Sequence, residues 1–281
     1  MNIAGVVILY HPDLELLLVN VQTYLPGLKQ LYVYDNSEIK TPGIEEALTK
    51  INPSIQYRYF NANEGIAKRL NQAMDQAVLN QYDYLLTMDQ DSSFNVGDFE
   101  KYKTLIQSST YHNVAQFGVN CQPDFKQPDE QPEEALTLIT SGSILNLSLT
   151  KDIGLFNEAL FIDFVDAEFS YRVIQNGYLN LMFSNIVLNH ALGTLVEGRS
   201  LGNLKKSMRI IHAPIRVYYI VRNGLYLLFK FKGLTPIMKK DIIRCIKIIK
   251  NDLIYNPQLF SVYKNVFAGI YAFMTSRMGK K

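Results

Sequence analysis

Short β-rich segments alternate with helical segments near the start of the chain, and this order constrains the fold more than any other feature. The β-rich segments cover residues 3–9, 31–34, 55–60 and 84–88. Asp13 is placed to cap a first helix with leucines at helical spacing, and residues 63–80 suit another helix. Strands that alternate with helices pair in parallel. The sequence therefore predicts an α/β fold.

The alternation of strands and helices continues later in the chain, after one irregular segment. Residues 121–134 are rich in Pro, Gln, Asp and Glu, which indicates an exposed loop inside the domain. Residues 136–145 and 186–188 then have the character of strands. A helix is predicted over residues 165–176, ended by Gly177.

Length and composition favour a folded chain in a reducing compartment. The 281 residues are 48% hydrophobic, which suffices for a full core. The two cysteines lie too far apart in sequence for a disulfide framework or a zinc ribbon. The first residues lack the cationic segment of a signal peptide. The most apolar long stretch, residues 217–231, contains Arg222, Asn223 and Lys230, so no membrane-spanning helix is expected.

Charge is divided unevenly along the chain. Residues 1–202 hold 12 Lys/Arg and 24 Asp/Glu, whereas residues 203–281 hold 16 and 2. Residues 239–250 place cations and aliphatic side chains at helical spacing, which suits an anionic membrane surface. Nucleic acid is not the expected partner, because apolar residues separate the charges and no nucleic-acid module accompanies them. The alternative to membrane binding is that these helices pack on the acidic part of the chain and that their cations form an ordinary charged outer face.

Two carboxylates follow the predicted strand that ends at residue 88. Asp89, Gln90 and Asp91 leave its carboxyl end, where open α/β sheets bind ligands. Carboxylate oxygens are suitable ligands for Mg²⁺ or Mn²⁺. His190 follows a later strand and is a candidate to complete the metal site, since imidazole also binds Mn²⁺. For the two acids, the alternative is a solvated loop in which an aspartate caps the next helix. For His190, the alternative is a purely structural role.

Polar residues also follow the second and third predicted strands. Asp35 and Asn36 end one strand, and these side chains can hold a base or ribose, although an Asx turn would look the same. The segment of residues 61–71 opens a helix with Lys68 and Arg69 nearby, which favours a diphosphate. Ordinary cap chemistry at Asn63 and Gly65 is the alternative.

A third acidic motif begins the helix predicted after residue 164. Asp166 lies among aromatic and aliphatic residues, and an apolar environment favours a general base. Such a base takes the proton from an acceptor hydroxyl. The alternative is that Asp166 caps the helix. We expect Glu168 to pair with Arg172 four residues later.

In this order, these features resemble the inverting family 2 glycosyltransferases over roughly residues 3–225. The resemblance implies the Rossmann-like, nucleotide-sugar-binding GT-A fold, with a mixed central sheet flanked by helices. It also implies that Asp89 and Asp91 hold the donor together with Mg²⁺ or Mn²⁺, and that Asp166 is the catalytic base; His190 remains our own candidate for a further metal ligand beside Asp91. The family often has a second acid directly before the base, where this chain has Val165, so Asp163 is the nearest companion. The expected donor-binding residues are Tyr10, Asp35, Asn36, Asn63, Gly65, Lys68, Asn71, Asp89 and Gln90.

The detailed motifs are most similar to the rhamnosyltransferase branch, which uses dTDP-rhamnose to build bacterial surface polysaccharides. The motifs are Met-Asp-Gln-Asp-Ser, Phe-Ile-Asp-Phe-Val-Asp, His-Ala-Leu-Gly and the segment that ends in Arg222-Asn223. A lipid-linked glycan acceptor is expected because the basic tail would bring the site to a membrane surface. Galactofuranosyl- and other hexosyltransferases share similar motifs. A non-catalytic sugar-nucleotide or polysaccharide binding protein and a nucleotidyltransferase are the remaining alternatives.

The expected organisation is a glycosyltransferase domain over residues 1–225 and a basic, amphipathic helical tail over residues 226–281. The tail would bind the anionic face of a membrane. We expect a cytoplasmic protein, peripheral on the inner face of the cell membrane.

Overall fold

The computed structural model describes residues 1–121, 129–190, 194–199 and 206–281. The strands of this part of the chain are β1 Ile3–Leu9, β2 Gln30–Asp35, β3 Ile55–Tyr59, β4 Tyr84–Asp89, β5 Ser93–Phe94, β6 Val114–Asn120, β7 Glu133–Glu134, β8 Ser143–Asn146, β9 Leu179–Asn189, β10 Thr194–Arg199 and β11 Lys206–Ile211. Its α-helices are α1 Leu14–Gln22, α2 Ile44–Ile51, α3 Ile66–Leu79, α4 Asp98–Ser108, α5 Thr150–Ile153, α6 Val165–Gln175, α7 Pro214–Lys230, α8 Thr235–Tyr255 and α9 Leu259–Met274.

The main sheet of the described residues has nine strands in the order β3-β2-β1-β4-β8-β6-β9-β5, with β7 paired to β9. The first four strands of this order are parallel, as the sequence predicts. β8 then lies antiparallel between β4 and β6. The sheet is therefore mixed, and the predicted α/β fold is confirmed. The carboxyl ends of β2, β1 and β4 lie side by side at one edge.

The core around β1 forms because this parallel strand is apolar on both faces. Its residues are almost all buried, and α1 packs Leu17 and Val21 into the same core. The Asp13 side chain accepts a hydrogen bond from Leu16 N at 3.1 Å, which confirms the predicted cap. Strand β1 is thus fixed in the core between β2 and β4, which end in Asp35 and Asp89.

Two predicted elements have different bounds in the structure. α3 begins at Ile66 and not at residue 63, because Gly65 has a φ of +88° and the Asn63 side chain accepts from Gly65 N. The strand predicted over residues 136–145 is wrong for most of its length, since the paired strand covers only Ser143–Asn146. The preceding residues turn at Gly142, which has a φ of +75°. Thr140 O accepts from Ser143 N in this turn.

The chain divides into two compact units. The first comprises Met1–Glu158 with Asp166–Ala191, and the second comprises Ala159–Val165 with Leu192–Lys281. The exposed loop expected at residues 121–134 lies partly outside the described residues. The domain boundary expected at residue 225 stays a prediction.

Helices α7 and α9 pack closely within the second unit. A Cβ atom added at Gly269 would lie 2.7 Å from Tyr218 O, so only glycine allows this approach of α9 to α7. The amphipathic segment predicted at residues 239–250 lies within α8, as a helix. None of the helices in the described part of the chain combines the length and the apolarity that a bilayer crossing needs.

Candidate active site

The site begins where β2, β1 and β4 end. Leu9 lies opposite Asp35, and Ile8 lies opposite Asp89, so the polar residues after these strands are brought together. Tyr10 N donates to Gln90 Oε1 at 2.8 Å, and Gln90 Nε2 donates to Tyr10 O at 3.1 Å. The Gln90 side chain therefore joins the ends of β1 and β4, while the Tyr10 ring is half-exposed beside them.

Asp35 is fully buried at the end of β2. One carboxylate oxygen accepts from Tyr57 OH at 2.7 Å, and the other accepts from Ser37 N at 3.0 Å. Burial, and then this hydrogen bond to Asp35, raise the pKa of Tyr57, so Tyr57 remains a donor to the carboxylate. The Asx turn considered for this segment is present, and it positions Asp35 at the edge of the sheet.

A polar network connects Asn36 with the start of α3. Asn36 Nδ2 donates to Asn63 Oδ1 at 3.0 Å, and Arg69 Nε donates to Asn36 Oδ1 at 2.9 Å. The Arg69 guanidinium is fully buried and also donates to Glu64 Oε2 at 2.8 Å. Arg69 thus stabilises, from inside the protein, the loop that precedes α3.

Lys68 and Asn71, both expected to bind the donor, differ in exposure. The Lys68 side chain is 37% exposed, and its ammonium pairs with Glu64 at 2.5 Å. The Asn71 side chain is buried, accepts from Phe156 N at 2.8 Å and donates to Glu158 Oε1 at 2.9 Å. Asn71 therefore ties α3 to the segment after α5. The donor contacts of both residues stay predictions.

Asp89, Asp91 and His190 form the one group in the described residues with a metal-binding arrangement of acids and histidine. One potential ligand atom from each lies within 4.8 Å of the others. His190 Nδ1 is 3.6 Å from Asp91 Oδ1 and 4.0 Å from Asp89 Oδ2. Ligands about 2.1 Å from an octahedral ion lie about 3 to 4 Å from one another, so these residues fit a divalent metal. His190 therefore lies beside the two carboxylates, as its expected place at the Asp91 site requires, and the bound metal stays a prediction.

Residues that the sequence analysis did not single out hold this group in place. β5 pairs antiparallel with β9, which sets Ser93 opposite Asn189 and brings Ser92 to His190. The buried Ser92 Oγ lies 2.8 Å from His190 Nδ1. Ser141 Oγ accepts from Asp89 N at 3.1 Å, and Asn20 Nδ2 donates to Gln90 O at 3.1 Å. Their roles depend on contacts distant in sequence, so no local motif could reveal them.

Asp166 lies in the first turn of α6, and its carboxylate accepts from Ala167 N at 2.8 Å. One turn later, Ser170 Oγ accepts from Leu138 N at 3.2 Å. Residue 141, which binds Asp89 N, is only three residues beyond 138, so their Cα atoms are at most about 11 Å apart. The segment of residues 138–141 therefore links the middle of α6, at Ser170, with the end of β4.

The other charged residues of this motif have structural partners. Glu168 is fully buried and accepts from Arg172 at 2.8 and 2.9 Å, so the predicted ion pair is confirmed. In the second unit, Asp163 accepts from Arg216 Nη2 at 2.5 Å. This ion pair was not predicted, because the two residues are distant in sequence.

Comparison with known proteins agrees with the fold and identifies the family. Residues 16–159 match the family described as glycosyl transferase family 2. The dTDP-rhamnosyl transferase RfbF of Shigella flexneri is 26% identical over 256 residues, which cover 82% of this chain and 80% of that protein.

Two solved structures share the fold at 12% sequence identity. The mannosyltransferase PcManGT of Pyrobaculum calidifontis, in complex with GDP-Man and Mn²⁺, matches 98% of this chain and 75% of its own, with a TM-score of 0.59. GalNAc-T7 with UDP, GalNAc and Mn²⁺ matches 68% of this chain at a TM-score of 0.58, and this chain spans 44% of that protein. The fold is thus GT-A, as the resemblance implies. With the family match over half of its length, the chain belongs to glycosyl transferase family 2.

Proposed function

We propose that this glycosyltransferase transfers rhamnose from dTDP-rhamnose to a lipid-linked glycan acceptor during bacterial surface polysaccharide synthesis. The observation that carries the proposal is the convergence of Asp89, Asp91 and His190 beside the ends of β1 and β2. The name of the RfbF relative supports the choice of donor. Galactofuranose or another hexose is the alternative sugar, because the motifs are shared with those transferases.

The donor nucleotide would bind at the edge formed by β1 and β2. Asp35 and Asn36 are buried there, so a base that reaches them meets polar atoms already held in position. The half-exposed Tyr10 ring adds an apolar face beside them. Asn63, Gly65, Lys68 and Asn71 complete the proposed donor-binding set at the start of α3.

Asp91 and His190 would hold Mg²⁺ or Mn²⁺, with Asp89 beside them. When bound, such an ion neutralises the negative charge of the leaving diphosphate. The protein supplies the position of the ligands: Ser92 orients the His190 ring, and Ser141 fixes the backbone at Asp89. Rigid support of this kind is what a metal site needs.

Asp166 would act as the general base. Its carboxylate accepts the proton of the acceptor hydroxyl while that oxygen bonds to the anomeric carbon and the diphosphate leaves from the opposite side. The configuration at the anomeric carbon is therefore inverted. Residues 138–141 contact both α6, which carries Asp166, and Asp89. This supports the proposal that Asp166 and the metal ligands belong to one site.

The basic tail of residues 226–281 would bind an anionic membrane surface on the cytoplasmic side, where a lipid-linked acceptor is accessible. Lys240, Arg244 and Lys247 are exposed on α8. No acidic residue follows Asp252 in the chain. Cations near an anionic surface each contribute about 1 kcal/mol to binding.

A donor screen tests the proposed function. Thermal shifts with dTDP-, UDP- and GDP-sugars in the presence of Mn²⁺ should identify dTDP-rhamnose as the stabilising donor. Turnover of that donor should then fall by roughly 10²-fold or more in Asp166→Asn, with donor affinity retained. Stabilisation by a UDP- or GDP-sugar instead would exclude dTDP-rhamnose as the donor. Donor binding without transfer or hydrolysis would instead indicate a binding protein, and full turnover by Asp166→Asn would exclude this base.

A further inference from the structure

Two buried polar side chains on α7, Arg222 and Asn223, have no part in the chemistry proposed above. Both are fully buried. Buried polar groups need hydrogen-bond partners, so the positions of those partners show what the side chains hold. Most of these partners lie in one short segment of the second unit, residues 159–163, and Arg222 Nη1 also donates to Gly279 O at 2.7 Å.

The Asn223 amide nitrogen lies within hydrogen-bond distance of three backbone carbonyls. Its distances are 3.0 Å to Leu160 O, 2.8 Å to Ile162 O and 2.9 Å to Asp163 O. Arg222 Nη2 also donates to Leu160 O, at 2.9 Å. Arg222 Nε donates to Asn223 Oδ1 at 2.9 Å, which sets the orientation of the amide. The two side chains thus hold successive peptide groups of one turn.

The backbone of this turn is unusual for its residues. Phe161, Asp163 and Phe164 have φ values of +66°, +60° and +64°, and none of them is glycine. Such conformations persist only where surrounding contacts impose them. The Phe161 ring stacks on Tyr219 at 5.2 Å, and Asp163 pairs with Arg216, so further side chains of α7 support the same turn.

The turn leads directly into α6. Val165 is the first residue of that helix and Asp166 is the second. Residues 161–164 are therefore joined directly to the helical turn that carries Asp166. A general base must lie within hydrogen-bond reach of its proton, and an error of about 1 Å can cost about 10²-fold in rate.

We propose that Arg222 and Asn223 are positioning residues that hold the turn of residues 160–164 and thereby fix Asp166 for proton transfer. This inference rests on the proposed role of Asp166 as base. Neither side chain contacts substrate in this proposal, and both act through the backbone of the turn.

The test replaces Asn223 by a side chain of the same shape. Asn223→Asp keeps the oxygen that accepts from Arg222 Nε but removes the donors to the three carbonyls. We expect kcat to fall roughly 10- to 100-fold, with the donor KM and the metal-dependent donor affinity within about twofold of the original. The matched control is Asn265→Ala, another buried asparagine of this unit, which donates to Ser261 O and accepts from Lys281 Nζ but does not bond to the turn. Its kcat should be unchanged.

A second variant keeps the inference testable if Asn223→Asp does not fold. Asp163→Gly suits the φ of +60° but loosens the turn and removes its pair with Arg216. It should also lower kcat without raising the donor KM. Unchanged kcat in a folded variant, or equal losses in kcat and donor affinity, would overturn the inference. Asp166→Asn is measured in parallel. Full turnover by Asp166→Asn would refute the proposed role of Asp166 as base. If Asp166→Asn is inactive but Asn223→Asp is fully active, only the positioning role is refuted.

Discussion

His190 Nδ1 and Asp91 Oδ1 lie 3.6 Å apart, although the two residues belong to distant parts of the chain. A lone histidine and a pair of acids are each common on protein surfaces. Together they form a donor set that suits a divalent ion, because their potential ligand atoms occupy the space of one coordination sphere. At the scale of single residues, the chemistry of this site therefore depends on proximity.

Loss of either ligand should weaken metal-dependent donor binding. Asp91→Ala and His190→Ala each remove one potential ligand atom, so we expect donor affinity in Mn²⁺ to fall at least tenfold, roughly the loss seen when even a supporting residue of a metal site is removed. Calorimetric titration of the donor with and without Mn²⁺ measures the effect. His112→Ala is the control, since His112 is exposed and outside this group. Equal affinity in the variants and the original chain would show that the three side chains do not hold the ion.

Helix α3 illustrates how an element is positioned by one buried charge. Arg69 lies inside the protein, with its guanidinium 3.7 Å from the centre of the Phe60 ring, and it bonds to Asn36 and Glu64. Lys68, its neighbour, pairs with the same Glu64 from a partly exposed position. The helix is predictable from sequence, but the different environments of these two cations are not, because helical spacing alone does not show which face is covered.

Arg69→Met should destabilise the fold far more than Lys68→Met. Removal of Arg69 leaves buried acceptors without donors, at a cost of about 2–3 kcal/mol in the free energy of unfolding. The exposed Lys68 pair should contribute less than about 1 kcal/mol. Urea unfolding of both variants measures the difference, and equal losses would contradict the structural role assigned to Arg69.

The pairing also has a defined pH dependence. Hydrogen bonds from Lys68 and then Arg69 lower the pKa of Glu64 below its ordinary value. Its contribution to stability is therefore present above the pKa of the unfolded chain and is lost as the pH falls through the folded value. The difference between the original chain and Arg69→Met should shrink on acidification.

At the scale of the whole molecule, charge and apolar exposure coincide in the last helices. Residues 203–281 carry 16 basic and 2 acidic residues. The outer face of α9 exposes one apolar stripe at helical spacing, formed by Phe260, Tyr263, Phe267, Tyr271 and Met274. Aromatic side chains beside cations are typical of helices that lie in a membrane interface. The stripe supports the proposed membrane partner and extends it beyond α8.

Vesicle binding tests this surface. Phe260→Ser with Phe267→Ser should weaken partitioning into anionic vesicles roughly tenfold or more, because two largely exposed aromatic side chains lose their burial in lipid. The control is Leu79→Ser with Val96→Ser, two exposed apolar residues of the first unit. Vesicle sedimentation at low and high salt measures the partitioning.

The chain contains no tryptophan, so Phe267→Trp introduces a single fluorescent reporter at a position that is 69% exposed. Its emission should shift to the blue and be quenched by brominated lipid, whereas Val96→Trp should show neither change. A reporter at 267 that lipid does not quench would refute insertion of α9.

Local sequence determined most of the strands and helices of the first unit and the position of its acidic residues. Strands β1 to β4 follow from their apolar runs, α6 ends at Gln175, just before the predicted stop at Gly177, and the acids at the ends of β2 and β4 mark the edge of the sheet where we propose that the donor binds. These features depend on neighbouring residues, whose backbone preferences and side-chain periodicity are readable in order. The bounds of β8 were not predictable, since its apolar run continues through a turn that Gly142 imposes.

Tertiary structure decided which of the polar residues meet. The pairing of β5 with β9 brings Ser92 to His190, and α7 carries Arg222 and Asn223 to the turn before Asp166. Arg69, expected to face a diphosphate, is instead buried by its contacts with Asn36 and Phe60. Such contacts join residues that are distant along the chain, and their formation depends on the packing of the entire core, which no single motif specifies.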